Sequence, residues 1–198
     1  MASIIKVDNI QNTAGTTVLE NGYPTQPGQV IEYLTSQCDG SSLTGLSGTF
    51  TWQNVTAAQG TDATYVDLTG STIAYTPPPN ATKVIYQFTF GYNWQSVAHS
   101  IQHFKFFIDA DEVVYARHNR SAQYFESRYT FEWIIPIGGV ANTNTGRQAS
   151  WSSNKTLKMQ TRRYATSSHG GSIHTTTYWD GVGGSQFNIP TLTLIAIA

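Results

Sequence analysis

The chain has 198 residues, of which only 12% are charged, and its formal net charge is −1. That leaves no excess of cations to replace counterions along a phosphate backbone, which excludes a dedicated nucleic-acid binder. No apolar run approaches the roughly eighteen residues of a membrane span, and a single cysteine, Cys38, excludes an internal disulfide.

The polar surface must come from Thr, Ser, Asn, Gln and Gly, which suit strands and turns better than helices. Aromatic residues, at 13%, point the same way. The opening MASIIKVDNIQN lacks a basic stretch followed by an apolar core, so it does not read as a secretory signal. The four Asn-x-Ser/Thr sequons, at Asn54, Asn80, Asn119 and Asn154, are then coincidences of a Ser/Thr-rich chain.

In chain order, the first expected strand is Ser3–Ile10, with Ile4, Ile5, Val7 and Ile10 as its apolar residues. Asn-, Thr- and Gly-rich sequence follows, then Tyr23-Pro24-Thr25-Gln26-Pro27-Gly28. A lone strand before a Pro/Gly linker cannot bury its own apolar side. It pairs with the edge of the main domain or docks on a partner, and the reach of the linker favours docking. Residues 1–22 therefore read as an N-terminal docking arm and residues 23–198 as the main domain.

Further strands are expected at Gln29–Ser36, Gly48–Val55, Ala63–Leu68 and Thr72–Tyr75. From Lys83 to Tyr92, Val84, Tyr86, Phe88, Phe90 and Tyr92 share one face, and Ile85, Gln87, Thr89 and Gly91 the other. This period of two marks a half-buried strand. Strands are also expected at Ile101–Ile108, Glu112–Ala116, Tyr129–Ile135, Thr156–Tyr164 and His174–Trp179, with no convincing amphipathic helix anywhere. The last segment, Pro190 to Ala198, is apolar on both faces, so it is a central strand or one facing a neighbouring subunit. Turn clusters separate these segments: Cys38-Asp39-Gly40, Thr76 to Asn80, Asp109-Ala110-Asp111, Gly138-Gly139 and Asp180 to Gly184. Many short strands with frequent turns indicate an all-β sandwich.

Several pieces carry a resemblance. The opening MASIIKVDNIQNTAG resembles the N-terminal segment of tail-fibre-like and other virion proteins of marine bacteriophages. PGQVIEYLTSQCDGSS, ATKVIYQFTF, HSIQHFKFFIDADEV, LKMQTRRYATSSHGGSIHTTTYWDG and IPTLTLIAIA resemble the C-terminal β-domain of the same group. The resemblance implies a jelly-roll β-sandwich similar to C1q- or TNF-like modules, assembled as a homotrimer. It also implies a place in the virion, with the arm touching other virion proteins. Tail fibre, head fibre and capsid decoration all fit it.

Chemical motifs are sparse. His99 and His103 have the spacing of zinc ligands on a helix, but on an extended chain four residues span about 13 Å, too far for one tetrahedral ion. His169 and His174 are separated by a Gly-Gly turn, and His118 reads as an exposed loop residue. Asp109-Ala110-Asp111-Glu112 lacks the glycine and terminal Glu of a calcium loop and reads as a hairpin turn. Ser152-Ser153-Asn154-Lys155 imitates Ser-x-x-Lys, yet it sits in a turn rather than opening a helix. No enzyme, cofactor or metal is expected.

Aromatic and polar residues in turns, with Trp94, Tyr124, Arg128, Trp179 and Asp180 foremost, have the composition of a glycan-facing surface. The plainer reading makes them core and turn aromatics of a sandwich. A polysaccharide-recognising adhesin is thus the alternative function. A polysaccharide-degrading enzyme is less favoured, since no acidic pair is brought together by the sequence.

Overall fold

Alternating apolar side chains pair along the chain into antiparallel ladders. The structure, a computed structural model, describes residues 9–15, 17–20, 23–24, 26–94, 100–165, 169–177, 181 and 183–198. Strands β1 (Asn9–Gln11), β2 (Thr17–Glu20) and β3 (Tyr23–Pro24) form a small antiparallel meander. The sequence reading assigned only the first of these as strand. Then come β4 (Val30–Gln37), the hairpin β5 (Ser42–Thr44) and β6 (Thr49–Thr51), and the short β7 (Gln59–Gly60), β8 (Val66–Asp67) and β9 (Ile73–Tyr75). The long β10 (Lys83–Trp94) and β11 (Ser100–Ile108) precede β12 (Asp111–Glu112), β13 (His118–Ala122) and β14 (Phe125–Pro136). The chain ends with β15 (Lys155–Arg163), β16 (Ser172–Ile173), β17 (Thr175–Thr177), β18 (Ser185–Phe187) and β19 (Thr191–Ile197).

The pairing partners give the winding. β4 pairs with β19, β9 with β15, β10 with β14, and β11 with β13, all antiparallel. Successive outer and inner pairs of one long ribbon thus fold over into two sheets. One runs β4-β19-β10-β14, with β16 and β7 continuing beside the far end of β10. The other runs β13-β11-β15-β9, with β12 and β8 extending its edges. This is a jelly-roll sandwich, the all-β class expected from the alternation. The final strand is central, hydrogen-bonded to β4 on one side and β10 on the other.

Aromatic side chains join the two sheets. Tyr86 lies 4.9 Å from Phe106 between ring centroids, Phe106 lies 5.4 Å from Phe131, and Phe90 lies 5.8 Å from Phe104. Their tilted and edge contacts add to the transfer of large apolar areas out of water. Several polar tips in this core find partners, whereas among the described residues Gln102 Nε2 and His174 Nδ1 are buried without one. Tyr86 donates to the Ser71 carbonyl at 2.6 Å, and the Ser71 hydroxyl donates to the Leu68 carbonyl while accepting from the Met159 amide. Trp52 reaches the Leu192 carbonyl through its indole N–H at 2.9 Å. Gly70, at φ +84, lets the β8–β9 turn pass so close that a Cβ there would meet Pro190 and Val55 at 3.0 Å.

Two local expectations are corrected. Of the expected strand Glu112–Ala116 only Glu112 lies in a strand, the short Asp111–Glu112, because Val114–Ala116 closes into a 3-10 turn. The Ala116 and Arg117 amides bond three residues back, to Val113 and Val114, and that turn buries Ala116. His118 is not an exposed loop residue. It sits on β13, half-buried, with its ring stacked at 5.0 Å on Phe104 and 5.4 Å on Phe131. The aromatic cluster captures the imidazole as a flat apolar surface.

Glu32 is the least ordinary core residue. It is buried on β4 with no ion pair among the described residues, and its carboxylate accepts from Tyr75 Oη at 2.8 Å, from the Leu46 amide at 2.6 Å and from Ser47 Oγ at 3.2 Å. One acid therefore clamps the β5–β6 loop and β9 to β4. Glu32→Ala leaves these donors unpaired and should cost about 3 kcal/mol, hydrogen bonds to charged groups being the stronger kind. Chemical denaturation measures this, with Tyr75→Phe expected to cost less than half as much.

Candidate functional site

The jelly roll has two outer faces. The outer face of the β4-β19-β10-β14 sheet is built by the residues that alternate with the core. Register places Tyr33, Ile195, Ile85 and Ile134 side by side across all four strands. Tyr33 is 60% exposed and Ile134 49%, so half of this row stands largely in water. The next rows are Thr35, Thr193, Gln87 and Glu132, then Gln37, Thr191, Thr89 and Thr130. Beyond the first row, Val30, 53% exposed, stands beside Ile197, and Lys83 follows Ile197 in the same row.

Across those three rows the single ionised residue is Glu132, and Gln87 donates to its carboxylate. Thr hydroxyls pair across strands, Thr35 with Thr193 at 2.7 Å and Thr89 with Thr130 at 2.8 Å. Cross-strand Thr pairs consume hydrogen-bonding capacity that would otherwise face water. The result is one apolar row and two Thr-rich rows, bounded by Lys83 at one end and Arg128 at the other. The sequence reading did not single out these residues. The signal was present: Ile85 stands on the polar side of its strand, and β19 is apolar on both faces.

The candidates named from sequence are placed as follows. Ile10 lies on β1, exposed and paired with Leu19. Ile4, Ile5 and Val7 lie outside the described residues, as do Trp179 and Asp180. Tyr124, 63% exposed, occupies the β13–β14 turn at φ +42. Arg128 points outward on β14 opposite Gly91, whereas Trp94 shares the inward parity of Tyr92 and pairs with Phe125. Trp94 and Arg128 therefore belong to opposite faces of one sheet.

The buried titratable groups have structural settings. Burial, with Asp39 adding to it, pushes the Cys38 thiol up to about 12, and its Sγ lies 3.3 Å from the Gly70 carbonyl oxygen. His103 stands on β11, and His99 lies outside the described residues. Burial lowers the pKa of His103, and the nearby Arg162 lowers it further. Asp109, at φ +56, makes the β11–β12 turn and accepts from the Thr156 amide at 2.8 Å. Among the described residues, no group of three or more His, Cys, Asp or Glu side chains is placed to hold a metal ion. Among them, too, no helix is long and apolar enough to cross a membrane.

Comparison with known proteins adds little. No protein-family model matches the chain, and no curated protein does. Among solved structures it is similar to a chain in the structure of infectious bursal disease virus, Gt strain, at 9% identity and TM-score 0.37. It is similar to a chain of the same virus, Gx strain, at 11% identity and the same TM-score. Each alignment covers 98% of this chain, which spans 42% and 40% of those two chains.

His174 generates a pH prediction. It is fully buried at φ +62 against Phe88 and Phe90, and its Nε2 lies 2.9 Å from the Thr69 carbonyl oxygen. Burial lowers its pKa to about 4 from 6.5. A folded pKa below the unfolded one means that the unfolded chain binds the proton first as pH falls. The stability contribution is therefore complete above pH 6.5 and is lost toward pH 4, on the order of 3 kcal/mol in all. His174→Asn, which tolerates the left-handed backbone, should flatten the decline between those pH values in urea titrations.

Proposed function

We propose that this chain is a non-enzymatic structural protein of a virus particle, assembled with copies of itself through the outer face of the β4-β19-β10-β14 sheet. The observation that carries this reading is the uncovered apolar row Tyr33-Ile195-Ile85-Ile134, beside rows holding one ionised residue. A surface without strong charge accepts a copy of itself without like-charge repulsion, and closed symmetry covers it completely. Four strands about 4.8 Å apart and three rows about 6.8 Å apart make a footprint of roughly 400 Å². That is about half of the roughly 800 Å² per partner of stable complexes, so flanking rows and protruding side chains must complete the contact.

The finer reading is a short fibre or capsid decoration protein of a bacteriophage, a homotrimer whose residues 1–22 dock on other virion proteins. The sequence resemblance to virion proteins supports it, as does a jelly roll whose remaining loops and second sheet face outward. In this role the protein acts by shape and adhesion, and its buried Cys38, Glu32 and His174 serve packing rather than a reaction.

Replacing Ile85 and Ile134 by Lys tests the assembly. Both side chains stand on the outer face, but Ile85 is half-buried and directly opposite Ile134, so the monomer fold should lose about 1–2 kcal/mol and stay folded. Sedimentation of the unaltered chain at micromolar concentration should give a closed oligomer, and the double variant should sediment as a 21.8 kDa monomer. A monomeric unaltered chain, or an oligomer indifferent to both lysines, would contradict the proposal.

A further inference from the structure

The second outer face, on β13-β11-β15-β9, differs sharply in chemistry. Four of the chain's 11 Lys and Arg residues, Lys105, Arg117, Lys158 and Arg162, gather on it. Tyr65 lies across this face with Lys105 Nζ 4.3 Å and Arg162 Cζ 5.5 Å from its ring centroid. Two cations sharing one ring are held by its quadrupole although they repel each other. Glu112 is the carboxylate that answers Lys105, at 3.0 Å, and it binds Arg117 as well. Arg162 is positioned by carbonyl oxygens, those of Arg163 at 3.2 Å and Tyr164 at 2.6 Å, which orient the guanidinium without neutralising it. Three cations against one carboxylate leave a local formal charge of +2 on a chain whose total is −1.

This charge borders a cleft of about 380 Å³ lined by Tyr65, His103, Phe104, Arg117, His118 and Asn119. The Asn119 side chain is exposed at its rim. His103 forms one wall, with its ring stacked on Tyr164, which is 52% exposed. Cations, an exposed amide and an adjoining accessible aromatic plane are the groups that hold a sugar bearing an acid: the cations take the acid, the amide takes hydroxyls, and the ring takes the C–H face. The cleft has room for one or two sugar rings. A polyanion tracking the whole face is disfavoured, because Asp67 already neutralises Lys158 through 3.0 Å contacts.

We propose that this cleft binds an anionic sugar unit, carboxylated or sulfated, of a larger saccharide. Lys105, Arg117 and Arg162 hold the acid group, and Asn119 and Tyr164 select the sugar. The site lies on the sheet opposite the assembly face, so a saccharide can bind whether or not that face is covered, and the proposal does not depend on the oligomer.

Titration calorimetry of the full chain with trigalacturonate, a sulfated disaccharide, a neutral galactotriose and inorganic sulfate tests it. At least one acidic sugar should bind ten times or more tightly than the neutral one and than free sulfate, with affinity falling as salt rises. Lys105→Gln with Arg117→Gln should weaken that binding at least tenfold while thermal unfolding stays cooperative. Should that variant fail to fold, amide shifts in the unaltered chain decide the matter: perturbations at His103, Arg117 and Asn119 support the site. Equal binding of neutral and acidic sugars, sulfate binding as tightly as the sulfated sugar, tighter binding of an oligonucleotide, or shifts confined elsewhere would each overturn it. Loss of oligomerisation with retained sugar binding would overturn the assembly reading alone.

Discussion

The molecule depends on β10 being hydrogen-bonded on both edges while its two faces meet different surroundings. Its inward residues, Val84, Tyr86, Phe88, Phe90 and Tyr92, are all at most 1% exposed and interlock with Phe104, Phe106 and Phe131. With β14 on one side and β19 on the other, the strand cannot slip by one residue without sending five core side chains to the surface. That register fixes the outward residues as firmly as the inward ones. The apolar row on the outer face is a consequence of the core.

The two outer faces differ in chemistry. One is Thr-paired, with a single ionised residue in its three central rows and Tyr33, Ile85, Ile134 and Ile195 in line. The other gathers cations around Tyr65 beside a cleft. A sandwich whose sheets differ this way suits a building block that joins copies through one sheet and presents the other. The low overall charge sharpens the contrast, since a cluster of cations stands out where only 12% of residues are charged.

Much of the fold was legible because long strands announce themselves by period two. Lys83–Trp94, Ser100–Ile108 and Lys155–Arg163 fall where alternation places them, and the doubly apolar end became a central strand. Short elements were not legible in the same way. Of the expected strand Ala63–Leu68 only Val66–Asp67 is paired, and Gln59–Gly60, which no local period marks, is a two-residue ladder set by its partner. The turn at Val114–Ala116 looks β-branched and aromatic, yet its amides bond three residues back and close a 3-10 turn. His118 was misplaced because a histidine between two arginines reads as solvent-facing until Phe104 and Phe131 are brought to it. Tyr65 and Lys105 are forty residues apart in sequence and meet only through β15, so the cationic cleft had no sequence signature at all.

The most direct test of the account is side-chain footprinting of the full chain by hydroxyl radicals over a range of concentrations. Tyr33, Ile85 and Ile134 should become protected as concentration rises, while Tyr115 and Tyr164, on other surfaces, stay equally labelled. Labelling of Tyr33, Ile85 and Ile134 that does not change with concentration, in a chain shown to associate, would contradict the claim that this sheet face joins the copies.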